Sequence, residues 1–361
     1  MFVHVILTAV LTLLLQVTGL LTGTPGVSLA AALTATSMTL IDLAKLKDPS
    51  GQIASIVELM SQTNEILDDM MWMEGNLDTG HRTTVRTGLP TPTWRLLNQG
   101  VTPTKGTTAQ IDEQCGMLEA WSQIDTELAN LGGNPGAVRL SQARAHIEAM
   151  GQELAQTVFY GSSLAPNEFI GLAARYNLST AGNGDNLILT GGTGSTDNTS
   201  VYLIAWDSET VTGIVPKGST AGLKHEDLGV ETLNDAGGSA GALLRVYRDR
   251  FVWKAGIALK DWRYVVRLAN IDVSELEEAS SSPDLLRYMA DAEMRLPSNL
   301  GRRAFYMNRT VARNLRRQVT AAVSSGGGLT FENFAGKRVM MFGTTPVRIV
   351  DALTNTEDVV A

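Results

Sequence analysis

Cysteine and positive charge are scarce, and both shortages exclude classes of protein. The chain of 361 residues has one cysteine, Cys115, which excludes an intramolecular disulfide framework and any cysteine-rich zinc module. The formal net charge of −8 argues against a dedicated reader of double-stranded nucleic acid, because phosphate contacts need a surplus of Lys and Arg. With 44% apolar and 18% charged residues, the composition is that of a globular protein rather than a disordered one.

Charge is missing altogether from residues 1–37. Residues 5–21 are dominated by Val, Leu and Thr, near the lower length limit for a membrane-spanning helix. One interpretation is a secretory signal or a membrane anchor, although both normally carry basic residues beside the apolar run and none is present here. The other interpretation is that translation starts at Met38 and that the apolar leader is an upstream artefact.

Catalytic patterns are also lacking. Gly237–Gly241 matches the Gly-x-Ser-x-Gly elbow of serine hydrolases, but the polar residues 231–235 stand where that elbow needs an apolar strand. The hydrolase fold places its histidine after the serine, whereas all four histidines come before it: His4, His81, His146 and His225. No phosphate-binding loop or metal-binding spacing is present. We therefore expect no enzyme, no cofactor, no metal and no small-molecule substrate.

What the chain does contain is an uneven distribution of charge. Residues 38–74 hold seven acidic side chains against two lysines, and residues 75–111 hold four basic side chains against one acidic. Within the second stretch, 83–87 and 110–114 read as strands of a long hairpin joined by Gly- and Pro-rich sequence. An isolated two-stranded arm is marginal in water, so we expect it to lie on another subunit. The candidate intersubunit contacts are Arg82, Arg86, Arg95, Lys105, Asp68, Asp69 and Glu74.

A long helix is predicted after the hairpin. Asn134 is a good N-cap, and Pro135 suits the first helical position. Apolar residues then recur in steps of three and four as far as Tyr160. The predicted buried stripe of this helix is Ile147, Met150, Leu154 and Val158.

Mixed helix and strand signals follow. Residues 201–206 are apolar on both alternating faces and predict a central strand. Residues 251–258 and 262–268 predict a second strand pair, and 182–199 an exposed loop. Asp284 and Asn308 begin two helices, and 339–342 and 347–350 close the chain as strands. Six arginines fall between 301 and 320, which indicates a solvated or intersubunit ion-pairing face, or a loose contact with packaged nucleic acid.

This α+β order, with an acidic arm, a basic hairpin, a long capped helix and then mixed structure, resembles the major capsid proteins of tailed phages with the Hong Kong 97-type fold. Particular segments, such as QTNEILDD at 62–69, GHRTTVRTGLP at 80–90 and DWRYVVR at 261–267, are similar to those of podovirus-like phages. FYMNRT at 305–310 and VDAL at 350–353 are similar as well. The resemblance runs from Met38 to Ala361 and favours the artefact interpretation of residues 1–37.

The resemblance implies a division of the chain. It implies an N-terminal arm at 38–74, an extended hairpin (E-loop) at 75–125, a spine helix with the β-sheet of a peripheral domain at 126–275, and an axial domain at 276–361.

The implied function is structural, without catalysis. Pentamers and hexamers of the chain would form an icosahedral shell around packaged double-stranded DNA, in the virion capsid and assembled in the host bacterial cytoplasm. Portal, scaffolding or cement proteins are the implied partners. The alternative is an exported or membrane-tethered bacterial shell or surface protein, with a serine hydrolase third.

Overall fold

The computed structural model describes Met38, 42–43, 62–131, 133–192, 197–234, 242–277, 283–297, 300–321, 329–334 and 337–361. The apolar leader and the Gly-x-Ser-x-Gly segment lie outside these residues. The chain divides into two compact units, of which the first takes 1–58, 120–146 and 225–251 and the second takes the remainder. Among the described residues, no helix combines the length and the apolar character needed to cross a membrane.

The first unit is built on a small apolar cluster. Leu43, Ile124, Leu128, Ala129 and Val138 are buried together. Strand β7 (Leu223–Asn234) pairs with β8 (Leu243–Leu259), and the helices are α2 (Thr126–Leu131) and the first part of α3 (Pro135–Tyr160).

The second unit is organised around a mixed sheet. Its path runs β11-β12-β13-β10-β5-β6-β8-β3-β2, with β1 beside β6, and with β9 between β4 and β5. Every residue of β5 is buried, because Tyr202, Ile204 and Trp206 enter one apolar cluster and Val201 and Leu203 enter another. The strands are β1 (Trp72–Glu74), β2 (Gly80–Gly88), β3 (Thr107–Asp125), β4 (Leu187–Leu189), β5 (Asn198–Trp206), β6 (Val211–Val215), β9 (Val265–Asp272), β10 (Arg302–Met307), β11 (Leu329–Phe334), β12 (Lys337–Phe342) and β13 (Thr345–Ile349).

Helices cover the two faces of this sheet. The second half of α3 packs into the cluster that holds Tyr202, and α6 and α7 contribute to the cluster that holds Leu203. Asn308 Oδ1 accepts a hydrogen bond from Val311 N at 2.9 Å and caps α7, as predicted. The helices are α1 (Ile66–Asp69), the remainder of α3, α4 (Leu172–Arg175), α5 (Val273–Glu277), α6 (Leu285–Arg295) and α7 (Arg309–Ala321).

Two sequence predictions are wrong, one for a pair of strands and one for a loop. The strands at 251–258 and 262–268 do not pair with each other, because Asp261 caps a 3₁₀ turn over Trp262–Tyr264 and the chain then enters the sheet beside β5. Nor is 182–199 an exposed loop throughout, since it contains β4 and the start of β5, where Asn198 and Thr199 are buried.

The long helix is confirmed from Pro135 to Tyr160, with Asn134 Oδ1 accepting from Ala137 N at 3.3 Å. Met150, Leu154 and Val158 are buried, but Ile147 is 43% exposed and is not part of the core of this chain. On an ideal helix Ile147 shares its face with Leu154, seven residues on. The spacing therefore identified the face correctly, whereas the apolar layer that covers Leu154 does not extend to Ile147.

Aspartate at these two positions should have unequal effects on the isolated subunit. Leu154→Asp places an unpaired carboxylate in a site that is 3% exposed and should lower the free energy of unfolding by roughly 4 kcal/mol or more. Ile147→Asp leaves its carboxylate in water and should cost about 1 kcal/mol. Urea unfolding followed by tryptophan fluorescence measures both changes, and equal losses would show that the two sites are equally buried.

Candidate assembly interface

The β2–β3 hairpin is largely exposed in the described chain. Its strands pair antiparallel from Gly80 opposite Gln114 to Gly88 opposite Thr107, as the sequence predicted for 83–87 and 110–114. All residues from 89 to 106 are exposed. At the tip, Gln99 N donates to Leu96 O at 3.2 Å and closes a tight turn.

The base of the hairpin is held by a buried ion pair. Glu113 on β3 accepts two hydrogen bonds from Arg175, both at 2.6 Å, and both side chains are largely buried. Gly80 permits the close approach of the two strands, because a Cβ there would lie 2.0 Å from Glu113 O. This pair could not be predicted from the sequence, since nothing in the spacing of Glu113 and Arg175 relates them.

Arg82, a predicted intersubunit contact, is engaged within its own hairpin. Its Nε and Nη2 donate to the two carboxylate oxygens of Asp112, each at 2.6 Å, and this partner raises the pKa of Arg82. Asn76 holds the backbone of Arg82 from the other side, with hydrogen bonds of 2.6 and 2.8 Å. Arg82 therefore has a partner within its own hairpin, because the register places Asp112 directly opposite it. Since 47% of its side chain is exposed, an intersubunit contact of Arg82 stays a prediction.

Three other predicted cations are available for contacts. Arg86, Arg95 and Lys105 are exposed, and none has an acidic partner among the described residues. Large apolar side chains are exposed in the same loop, namely Leu89, Trp94, Leu96, Leu97 and Val101.

The acidic candidates have a different environment, because 62–74 packs against its own chain. Asp69 is buried and accepts hydrogen bonds from Arg348, at 3.0 and 3.2 Å, and from the Tyr306 hydroxyl at 3.1 Å. Arg302 lies 3.4 Å from the same carboxylate. Burial, reinforced by Asp69, raises the pKa of Tyr306. Asp69 is thus a structural residue of the subunit, which corrects its assignment as an intersubunit contact.

The other two acidic candidates remain exposed. Glu74 Oε1 accepts from Gly218 N at 2.7 Å, and Asp68 lies on the exposed side of α1. The part of the acidic arm at 62–74 is therefore not an extended segment awaiting a partner, because β1 pairs parallel with β6 through Trp72 opposite Gly213.

The arginine-rich segment near α7 also pairs within the chain. Arg309 donates to both carboxylate oxygens of Asp351, at 2.7 and 2.9 Å, and to Thr63 Oγ1 at 2.8 Å. Arg317 donates to Asn314 Oδ1 at 3.1 Å. Arg302 and Arg309 therefore form ion pairs within the subunit, and 66% and 61% of their side chains remain exposed to solvent.

His81 is buried beside Glu113 at the hairpin base. Desolvation lowers its pKa, Lys260 lowers it further, and Glu113 raises it. Its Nδ1 has no hydrogen-bond partner in the part of the chain that the structure describes, so the neutral ring is favoured.

Removing Glu113 should destabilise the subunit far more than removing Asp112. Glu113→Ala leaves the buried Arg175 guanidinium unpaired and should lower the free energy of unfolding by about 3 kcal/mol. Asp112→Ala breaks an exposed pair and should have little effect. Urea unfolding of the subunit, with hydrogen exchange of the hairpin amides, measures both. Equal effects would mean that the buried pair does not fix the hairpin base.

Stability should fall on mild acidification in a manner that depends on His81. Since its pKa is lowered in the folded protein, the unfolded chain binds more protons as the pH drops below about 6.5, and the free energy of unfolding decreases. His81→Gln should reduce this slope between pH 7 and 5. The pH dependence of stability that remains in this variant includes a contribution from His146, because burial also lowers the pKa of that side chain. If the free energy of unfolding of the variant changes with pH as it does in the wild type, then the folded protein tolerates a charged His81 ring.

Comparison with known proteins supports a capsid architecture. The family model of major capsid protein GP7 matches residues 48–361. The structure of bacteriophage Epsilon15 matches with a TM-score of 0.70 and 30% identity, over 91% of this chain and 98% of that chain.

Other solved structures match less well. The capsid of an empty GTA particle has 11% identity and a TM-score of 0.37, over 65% of this chain and 99% of that one. Microbacterium phage Oxtober96 has 10% identity and a TM-score of 0.40, over 64% and 99%. These scores are too low to support a statement about this chain. No protein with a curated description matches it.

The Epsilon15 match identifies the mixed α+β architecture as the Hong Kong 97-type fold of phage capsids. The family match covers the second unit completely and nearly all described residues of the first. The chain therefore belongs to the major capsid protein GP7 family, whose role is structural and whose copies self-assemble into the shell of a phage virion.

Proposed function

We propose that the β2–β3 hairpin of one subunit lies across a neighbouring subunit and holds the shell together, with Arg86, Arg95 and Lys105 among its contacts. The observation that carries this proposal is the hairpin loop itself. Residues 89–106 are not covered by the part of their own chain that the structure describes, although they include five large apolar side chains. Exposed apolar patches of this kind mark interaction surfaces.

Charge supports the same conclusion. The three cations lie on a subunit whose net charge is −8, so acidic surface is the commonest surface that a neighbouring copy offers. Arginine pairs with carboxylates through two parallel hydrogen bonds, which gives orientation as well as attraction. Asp68 and Glu74 are exposed acidic groups that remain candidates for the receiving side. Each exposed pair is worth only about 0–1 kcal/mol, so the effect requires repetition over many subunits.

We also propose the finer features of the assembly. The subunits form pentamers and hexamers of an icosahedral shell, with portal, scaffolding or cement proteins as partners and packaged DNA held non-specifically inside. Assembly takes place in the host bacterial cytoplasm, and the chain acts without catalysis. The proposed division keeps a peripheral domain at 126–275 and an axial domain at 276–361, after an arm at 38–74 and an E-loop at 75–125. Membership of the capsid family supports these proposals.

Charge reversal on the hairpin loop should impair assembly without unfolding the subunit. In Arg86→Glu with Arg95→Glu, both changed side chains are exposed and lack acidic partners in the described chain, so circular dichroism and the melting temperature should not change. If each lost contact is worth about 1 kcal/mol, the protein concentration needed for shells should rise about tenfold or more. Light scattering and negative-stain microscopy over a concentration series measure this.

A control of equal charge change is Arg144→Glu with Arg287→Glu, at exposed sites on α3 and on α6 outside the hairpin. It should assemble as the wild type does. High salt should weaken wild-type assembly, because it screens exposed ion pairs. Normal shells from the hairpin variant at every salt concentration would contradict the charge contacts.

A further inference from the structure

We propose that the hairpin tip of one subunit docks into a cavity of the neighbouring subunit, with Leu97 filling the cavity and Arg95 pairing with acidic residues at its rim. This inference rests on the proposed function, that the hairpin crosses a neighbour, and adds the site that receives it.

The cavity lies in the second unit, between α3, β3 and β8. Its volume is about 120 Å³, and its walls include Leu118, Leu154, Phe169, Trp253 and Ala255. Met117, 58% exposed, also lines it. Glu153, Thr157, Asn167 and Glu168 line the rest of it, so one part of the cavity is apolar and another part is polar.

The size of the cavity suits a leucine side chain of the hairpin loop. A cavity of roughly 150 Å³ holds a benzene-sized group, so one of about 120 Å³ accommodates an isobutyl group. Two leucines, Leu96 and Leu97, belong to the tip.

The turn at the tip presents Leu97. Gln99 N donates to Leu96 O at 3.2 Å, so Leu97 and Asn98 occupy the two central positions of the turn. Asn98 has a φ of 66°, a left-handed conformation that asparagine adopts more readily than most residues. Leu97 is 90% exposed and Leu96 69%. Leu97 is therefore the apolar side chain best placed to enter a cavity.

Charge matches between the tip and the cavity. Glu153 and Glu168 line the cavity, and neither has an ion-pair partner among the described residues. Arg95 precedes Leu97 by two residues and also lacks an acidic partner in the described chain. If Leu97 fills the cavity, Arg95 lies close enough to pair with the carboxylates at its rim.

The occupant has to come from a second copy of the chain. Strand β3 runs from Thr107, near the tip, to Gly116, which lines the cavity. These nine steps, at about 3.3 Å each, separate the two ends by about 30 Å. In the structure the tip does not enter the cavity of its own subunit, since Leu97 is 90% exposed and all residues from 89 to 106 are exposed.

Disulfide trapping in assembled shells tests the docking. Leu97→Cys with Met117→Cys, assembled under reducing conditions and then oxidised, should give a ladder of covalent multimers on non-reducing gels. The native Cys115 is half-buried, and desolvation raises the pKa of its thiol to about 11, so each single variant should stay monomeric on the gel. The control pair is Leu97→Cys with Met294→Cys, which places the second thiol at an exposed site on α6 and should not form the ladder. If the Leu97→Cys variant does not assemble, the experiment is repeated with Gln99→Cys, which places the thiol on the same turn.

A photo-crosslinker separates the failure of this inference from failure of the proposed function. A benzophenone maleimide on Leu97→Cys, in shells mixed from ¹⁵N-labelled and unlabelled subunits, should capture peptides from 116–118, 153–169 or 253–255 of another copy. Capture of a different segment of another copy would overturn the cavity site while the hairpin still crosses a neighbour. Capture only within the same copy would overturn both proposals.

A charge swap provides a measurement that does not depend on thiols. Arg95→Glu should raise the concentration needed for assembly several-fold, and Glu153→Lys with Glu168→Lys in the same chain should restore it. A double reversal that fails to rescue, while the subunit remains folded, would exclude these carboxylates as the partners of Arg95.

Discussion

A two-stranded arm has no core of its own, so the direction in which the β2–β3 hairpin leaves the subunit depends on how its base is fixed. The Glu113–Arg175 pair does this with two hydrogen bonds of 2.6 Å in a site sheltered from water. Truncation of either partner would leave an uncompensated buried charge, so the pair specifies one position for the base. A fixed base makes the direction of the hairpin reproducible from subunit to subunit, as a closed shell requires.

Features that depend on neighbouring residues could be predicted from the sequence. The N-cap Asn134 and the first-turn Pro135 fixed the start of α3, and the doubly apolar run at 201–206 identified the central strand, which is buried throughout. The hairpin strands were also found, but not their register, which places Arg82 opposite Asp112. The long loop at 89–106 leaves the register open, because only a tight turn fixes it from the sequence.

Features that depend on distant residues could not be predicted from the sequence. Asp69 is paired with Arg302 and Arg348, more than two hundred residues away, and no local pattern relates them. The buried Arg267–Glu357 pair, at 2.7 Å, is of the same kind. Ile147 shows what the spacing of apolar residues cannot predict. The spacing identifies the face of a helix that is buried, but not how far along the helix the opposing layer covers that face.

The energies involved explain why the hairpin loop can stay exposed on a free subunit. Burial of one leucine side chain is worth about 1.5–3 kcal/mol, and an exposed ion pair about 0–1 kcal/mol. Association of two molecules costs an estimated 4–15 kcal/mol in lost translational and rotational freedom, so one docked tip does not hold two subunits together. In a closed ring built on the proposed docking, each subunit would both give and receive a tip, and the last contact would form without that cost. The proposed docking would therefore stabilise closed assemblies much more than open pairs, which would favour complete shells over partial aggregates.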